Sequence, residues 1–572
     1  MVDSEFVDVT LGRLKLTLIP FQILKDDANL SEISILQPLG TVTGNDESVL
    51  TTDNALLTSK IFSFLNLETT KKSDLISIPE YCAPWEILEK ININEVAPAK
   101  GQLWVLGFQG ITPAKLADIE NRCTNIAFEY QRDIQSTKKF FGPILYIFKA
   151  LKDNGEEKTV CIVQFKTHPM ADGHQFEKDN LIVGNKLYIL KNAEDDIRLA
   201  TLICADSLNP AITTNFQNVF KDWKDKAYWL LHLQLNTDPR NTSFKKYRDD
   251  ELGGVRNTDR KAILCLNWAQ NTNIAGSEAR LNEYGVSALY LKEKDLKVNN
   301  KAIDSNHKRG TYYSFTETRA HVSHFNFAEA VFHFNLAKIA RNNVSGPAGT
   351  IHLPTIKSSY IWSSTTWISP SEFDDLSKEI CPWRSPKHPL LEASLPLPTQ
   401  REFLMLRSTG HFNGAIDSPK DLDSFKMDSV ESIQRLTFSQ DTARNAKNFR
   451  EAVIGRFRKL LDIVHQAGPF PEVWRSFRIK GALRVVDDPP FFNLTVTNNE
   501  NEEFDIFVSY LGPQSLREKT ESIASLQGKY KSDFRKRVFL WNETAGNITS
   551  FTITEAKINN PENTEFIDIT GA

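Results

Sequence analysis

Between about residue 12 and residue 345 the chain alternates short, wholly apolar runs with longer amphipathic stretches, and this alternation narrows the possible folds most. The runs include "LKLTLIPF", "SDLISIP", "QLWVLGFQ", "PILYIFKAL", "TVCIVQF", "LATLIC", "AYWLLHLQL", "KAILCLNWA" and "VSALYL". Segments such as "TPAKLADIENRCTNIAFEYQRDI" and "PAITTNFQNVFKDWKD" lie between them with helical length and period. A strand without a polar face needs cover on both sides, and helices supply it in α/β layers. Residues 1–345 are therefore expected to form one α/β domain.

The text then changes. Residues 346–410 are crowded with proline, as in "CPWRSPKHPLLEASLPLP", and read as a linker or extended arm. Residues 411–572 read as a separate α+β accessory domain with a β-rich end. Its helix, "DTARNAKNFREAVIGRFRKLLDIVHQAG", places Phe449, Val453, Phe457, Leu460, Leu461 and Val464 on one stripe. Strands follow in "FRIKGALRVV", "FFNLTVTNN", "EFDIFVSYL", "RVFLWN" and "SFTITEAKI", with "NNENEE" as a hairpin loop.

Composition excludes several classes. A formal net charge of −4 gives no global attraction to nucleic acid or to an anionic membrane. No apolar run approaches the roughly 18 residues of a membrane span, and the acidic start lacks the features of a secretory signal. Six dispersed cysteines without a CxxC pair read as reduced thiols, not a disulfide framework or zinc site. The expectation is a cytoplasmic protein that needs neither metal nor cofactor.

Three strand ends carry chemistry. "SDLISIPE" ends at Glu80, "TVCIVQFK" at Lys166 and "LATLIC" at Cys204. Ligands gather at the carboxyl ends of strands in open α/β sheets, so these three side chains are expected to converge from strands of one sheet. A cysteine with an ordinary pKa of about 8.5 needs a neighbouring base or cation to react at pH 7. Glu80 can take its proton, and Lys166 favours the negative charge.

At these residues the chain resembles the nitrilase, or carbon–nitrogen hydrolase, superfamily. The resemblance covers roughly residues 12–345 in collinear order, from "LKLTLIPF" through "DLISIPE", "LWVLGF", the hairpin "PILYIFKALKDNGEEKTVCIVQFKTHP", "FEKDNLIVGNKL" and "LATLICADSLNP" to "KAILCLNWAQNT" and "GVSALYL". It implies a nitrilase-like αββα sandwich, a homodimer, and a thiol-dependent amidase-type hydrolase acting on a small amide or nitrile. Glu80 is then general base and acid, Lys166 the oxyanion stabiliser and Cys204 the nucleophile. A fourth acidic residue is best matched by Glu177, with Asp172 and Asp179 as rivals. The Ala205 backbone N–H becomes an oxyanion donor, and Asp206 fits the acidic position two after the cysteine. The chain departs from the family's pattern by carrying Ala205 where an aromatic residue usually follows the cysteine.

Other signals have plainer readings. "YRDDELGG" at 247–254 reads as a helix start or solvated loop. His321, His324 and His333 read as core or surface residues, since no acidic or cysteine ligands stand at metal spacing. Two basic groups, Arg444, Lys447, Arg450, Arg456, Arg458 and Lys459, then Lys529, Lys531, Arg535, Lys536 and Arg537, read as solvated faces. They also leave open a nucleic-acid or protein partner of the C-terminal domain. The rival to the enzyme is a catalytically silent nitrilase-like scaffold or regulatory subunit, which resembles domains found beside reverse transcriptases in bacterial phage-defence systems.

Overall fold

The computed structural model describes residues 8–11, 14–20, 30–44, 49–52, 54–151, 157–170, 175–191, 197–209, 227–236, 244, 246–248, 252, 261–274, 287–292, 300–315, 321–336, 353–371, 373, 390, 398–411, 444–466, 471, 474–486, 490–513, 516–553, 556–558 and 566–568. The chain divides into two compact units. One comprises Met1–Lys297 with Ser305–Asp374, the other Val298–Asp304 with Asp375–Ala572.

The larger unit is mixed α/β and holds two nine-stranded sheets among the described residues. One runs Asp8–Leu11, Leu14–Pro20, Lys186–Lys191, Ile197–Ile203, Ala227–Leu233, Lys261–Leu266, Ala288–Lys292, His321–Phe325, Thr311–Phe315. Since its fourth strand leads into Cys204, it is termed the cysteine sheet. The other runs Thr366–Ile368, Thr355–Ser363, Ala330–Asn335, Glu32–Gln37, Leu75–Ala83, Leu103–Phe108, Pro143–Leu151, Glu157–Phe165, Ile126–Tyr130. Glu80 lies on its fifth strand and Lys166 follows its eighth, so it is termed the glutamate sheet.

The apolar runs explain these strands. Leu75–Ala83, Leu103–Phe108 and Lys261–Leu266 are buried along their whole length, as strands covered on both faces must be. Helix Asn54–Leu65 sets Leu57, Ile61, Phe64 and Leu65 at helical spacing against Ile76, Ile78 and Leu106. Buried polar side chains also join the sheets. Gln164, on strand Glu157–Phe165, donates to the Thr201 carbonyl at 2.8 Å and accepts from the Tyr188 N–H at 3.0 Å.

Three expectations need correction. The three chemical residues do not follow strands of one sheet: Glu80 and Lys166 belong to the glutamate sheet and Cys204 to the cysteine sheet. The Glu80 strand, Leu75–Ala83, pairs in parallel with Glu32–Gln37, "EISILQ". The stretch 346–410 is not wholly a linker either. Thr355–Ser363 pairs antiparallel with Ala330–Asn335, and Thr366–Ile368 pairs with it in turn. Within "TIKSSYIWSSTTWIS" Ile356, Ser359 and Trp367 are buried, a short apolar signal outweighed by the prolines further along. The second unit accordingly takes in chain from Asp375, not from residue 411. Lastly, of the two readings of "YRDDELGG" the solvated loop fails: Tyr247 and Arg248 are buried in helical backbone, with the Arg248 guanidinium 5.1 Å from the Tyr290 ring centroid.

In the second unit, five strands stand in the order Arg478–Lys480, Leu494–Thr497, Glu503–Pro513, Val538–Thr544, Asn547–Thr552. The central pair, Glu503–Pro513 and Val538–Thr544, is parallel and is crossed over by helix Leu516–Lys529. The sequence pattern had not shown that helix, because only Ile523 and Leu526 form its deeply buried stripe against Phe507 and Leu540. Helix Arg444–His465 buries Val453, Phe457, Leu460, Leu461 and Val464 as its pattern implied. Part of the basic character is spent on packing. Arg535 donates to the Tyr530 and Gln527 carbonyls, and Arg537 lies over the Phe504 and Phe534 rings. Among the described residues no helix is long and apolar enough to cross a membrane.

Candidate active site

The Glu80 strand is bent where the glutamate leaves it. Ile78 stands opposite Leu106 and Ala83 opposite Phe108, so four residues, Pro79 to Cys82, face the single Gly107. Only glycine fits there: a Cβ on residue 107 would lie 2.1 Å from the Pro79 carbonyl oxygen and 2.7 Å from the Glu80 Cα. Tyr81 within the bulge has φ 56°, the left-handed region that a non-glycine residue rarely enters. The Trp268 indole N–H fixes the bulge by donating to the Glu80 carbonyl at 2.8 Å.

Lys166 follows the antiparallel hairpin Pro143–Leu151 and Glu157–Phe165 that the sequence led us to expect. Its backbone is pinned on both sides, N–H to the Gly142 carbonyl and carbonyl from the Gly184 N–H. The ammonium is 1 % exposed and donates to Glu80 Oε1 at 2.7 Å and to both Glu177 oxygens at 2.8 Å. Glu177, on helix Gln175–Asn180, also accepts from the Tyr81 hydroxyl at 2.8 Å and the Met170 N–H at 2.7 Å. Of its rivals, Asp179 is exposed and Asp172 lies outside the described residues.

Cys204 ends strand Ile197–Ile203 and opens the 3₁₀ turn Cys204–Leu208. It too has a left-handed backbone, φ 41°. Such residues cost on the order of 1–3 kcal/mol and persist where their surroundings over-determine them. The surroundings here are identifiable. Asp206, fully buried, accepts from the Ile203 N–H with Oδ2 at 3.0 Å, and from the Thr167 N–H, Thr167 hydroxyl and His168 N–H with Oδ1 at 2.7–3.1 Å. It thus straps the cysteine turn to the chain that follows Lys166. Ala205 is fully buried in the same turn. Pro210, beyond it, lies outside the described residues.

Leu235 joins the two halves. Its N–H donates to Glu80 Oε2 at 3.0 Å, and its carbonyl accepts from the Cys204 thiol at 3.9 Å, a long sulfur contact. Glu80, Lys166, Glu177 and Cys204 therefore form one buried cluster across both sheets, at separations of 86 and 38 residues between Glu80 and Lys166 and between Lys166 and Cys204. Tyr81, Gly107 and Leu235 had no signal in the residue pattern. Leu235 acts through backbone atoms, and Gly107 is recognisable only once its neighbour strand is known.

The electrostatics follow from burial. Glu80 is pushed up to about 7, chiefly by desolvation, with Lys166 pulling it down and Glu177 raising it. Burial opposes the charge on Lys166, but the Glu177 and Glu80 carboxylates more than restore it and hold the ammonium well above the usual lysine range. The Cys204 thiol is raised by burial and by Glu80, and Lys166 does not offset them. This corrects the expectation of a thiolate favoured by the lysine: one cation already serves two carboxylates, and the resting thiol is neutral. Burial also raises Asp206, to about 6.

The set-aside histidines have partners of their own. His333 Nδ1 lies 3.1 Å from the Ser34 hydroxyl and 3.2 Å from that of Ser73, and His321 Nδ1 lies 3.0 Å from the Tyr313 hydroxyl. Among the described residues no group of histidine, cysteine and carboxylate side chains is arranged to hold a metal ion.

No family model matches the chain, and no curated protein matches it. Among solved structures it is similar to a CN-hydrolase superfamily protein from Xanthomonas campestris, solved with an arsenic adduct in its active site. Identity is 14 %, the TM-score is 0.27, and the match covers 46 % of this chain and 82 % of that one.

Proposed function

We propose that the larger unit is an αββα sandwich of the carbon–nitrogen hydrolase type. Its activity is hydrolysis of non-peptide C–N bonds, amidase-type, through an acyl-enzyme on Cys204. The observation that carries this reading is the joint hold of Leu235, which donates to the Glu80 carboxylate and accepts from the Cys204 thiol beside the Lys166 ammonium. A base poised near neutrality, a thiol and a buried cation are the three parts that acyl transfer through sulfur requires.

The neutral thiol dictates the order of events. As Sγ attacks the amide carbon, its proton passes to Glu80, and the carbon–oxygen π electrons move onto oxygen. Protonation of Glu80 removes one of the two anions held by Lys166, so the ammonium gains a partner in the new oxyanion as it loses one in the carboxylate. Such a donor is worth about 3 kcal/mol. The intermediate collapses when Glu80 returns the proton to the departing amine, breaking the C–N bond and leaving a thioester. Glu80 then takes a proton from water, whose oxygen attacks the thioester. The acid leaves, and the thiolate recovers its proton from Glu80. Glu177 keeps Lys166 charged and aimed throughout, and Tyr81 aims Glu177.

A second reading, the silent scaffold, is favoured by one observation: Glu80, Lys166 and Cys204 are each 1–2 % exposed. Kinetics of single variants separate the two. Glu80→Gln should cost about 10² to 10⁴ in rate through loss of the base. Cys204→Ser should nearly abolish turnover, because a hydroxyl is far less acidic than a thiol. Lys166→Ala should depress kcat more than it raises KM. Release of ammonia or amine from a panel of small amides is the assay, and wild-type rates in all three variants would leave the scaffold as the better account.

A further inference from the structure

Cys204 owes its left-handed backbone to more than Asp206. Strand Ala227–Leu233 runs parallel to the cysteine strand with His232 opposite Leu202, which brings the imidazole up beside the turn. His232 Nε2 lies 2.8 Å from the Cys204 carbonyl oxygen, an atom that can only accept, so Nε2 carries the hydrogen. The ring is wholly buried, and burial holds its pKa down, at about 3, with Arg248 and Lys166 opposing protonation and the bond to the Cys204 carbonyl favouring it. A neutral ring with hydrogen on Nε2 has an acceptor at Nδ1, and the Gln234 side-chain amide nitrogen stands 2.6 Å from it. The amide oxygen of Gln234 is in turn approached by Asn236 Nδ2 at 3.4 Å. Tyr247 packs edge-on to the imidazole at 5.2 Å, and Phe244 lies at 5.9 Å. The tautomer is thereby fixed by residues that alternate along one short stretch of chain.

The same stretch holds the sulfur, since Leu235, between Gln234 and Asn236, carries the carbonyl that receives the thiol. Cys204 is gripped at two points by residues 232–236, its carbonyl by His232 and its Sγ by Leu235. We infer that His232 is a positioning residue for the nucleophile, its Nε2–H holding the Cys204 carbonyl so that the backbone keeps the left-handed conformation that sets Sγ against Leu235 and beside Glu80. This rests on Cys204 being the nucleophile. Histidine at this point of an apolar strand is explained by the grip: a leucine would fill the space but leave the carbonyl without its donor. Displacement of a reacting atom by an ångström costs orders of magnitude in rate, so the effect should be read in reactivity and not only in stability.

The test uses the full chain and iodoacetamide, with peptide mapping to follow alkylation of each cysteine. Melting by circular dichroism is recorded in parallel. Wild type should label fastest at Cys204. His232→Leu should label there at least about tenfold more slowly, while His232→Gln, whose amide nitrogen reaches the place of Nε2, should recover most of the rate. His232→Asn, equally polar but too short, should not. The pH at which the rate rises should stay near that of wild type in every variant, since Glu80 is untouched. A folded His232→Leu protein that labels at the wild-type rate overturns the inference. Should His232→Leu fail to fold, equal rates in the Gln and Asn variants overturn it. Absence of fast labelling at Cys204 in wild type instead rejects the nucleophile itself, and this inference with it.

Discussion

A lysine shared by two carboxylates leaves the Cys204 thiol raised by burial. In the proposed mechanism that thiol reacts by passing its proton to Glu80, so the ionisation of Glu80 would control the rate. With its carboxyl raised to about 7, Glu80 is mostly protonated below that pH and mostly ionised above it. Amide turnover, or alkylation of Cys204, should therefore rise as pH increases through about 7, and that limb should vanish in Glu80→Gln. A limb near pH 4.5, where an ordinary carboxylate titrates, would mean that Glu80 is not the base. At this scale Glu80, Lys166 and Cys204, which the structure brings together, stand out in the sequence as polar ends of apolar runs, whereas Glu177 lies in the polar helix Gln175–Asn180 and is reached only through the family resemblance. The sequence was silent where a backbone atom acts, as at Leu235, and it did not show that Asp206 bonds chiefly to the backbone of two separate segments.

Elements position these groups through departures from regularity. The strand carrying Glu80 turns its glutamate toward the cysteine sheet by means of the bulge opposite Gly107, a pairing that no single-strand pattern reveals. Gly107→Ala should drive a methyl into the Pro79 carbonyl and push the bulge away. We expect a loss of about 2–3 kcal/mol in stability by denaturant melting, with the activity lost in larger proportion than the stability explains. An alanine variant of unchanged stability and activity would show that the bulge does not set Glu80. The hairpin ahead of Lys166 was legible because both its strands are long and apolar. Strand Glu32–Gln37 has a weak sequence signal because "EISILQ" is short and begins and ends on polar residues, and helix Leu516–Lys529 has one because its buried stripe is thin.

For the whole molecule, the alternation of buried runs with helical segments sufficed to assign the α/β class, but the edge of the glutamate sheet lay inside what composition marked as linker. Trp367, buried and donating to the Lys60 carbonyl, ties that edge to helix Asn54–Leu65. A fragment ending at Asp374 should consequently be soluble and cooperative in melting, whereas one ending at residue 350 loses both outer strands, bares the edge Ala330–Asn335 and should aggregate. Size-exclusion chromatography distinguishes them, and equal behaviour of the two would show that the outer strands are dispensable. The C-terminal unit remains proposed as the seat of a macromolecular partner, with Lys529, Lys531 and Lys536 exposed there.

The proposed catalysis requires a covalent intermediate on one sulfur, which intact-mass analysis would reveal after brief exposure of the full chain to a panel of small amides. A mass increase equal to the acyl group of a reactive amide is expected, mapped to the peptide containing Cys204, discharged on standing and absent in Cys204→Ala. Turnover of an amide that persists in Cys204→Ala, or an acyl group mapped to any other cysteine, would contradict the proposed catalysis.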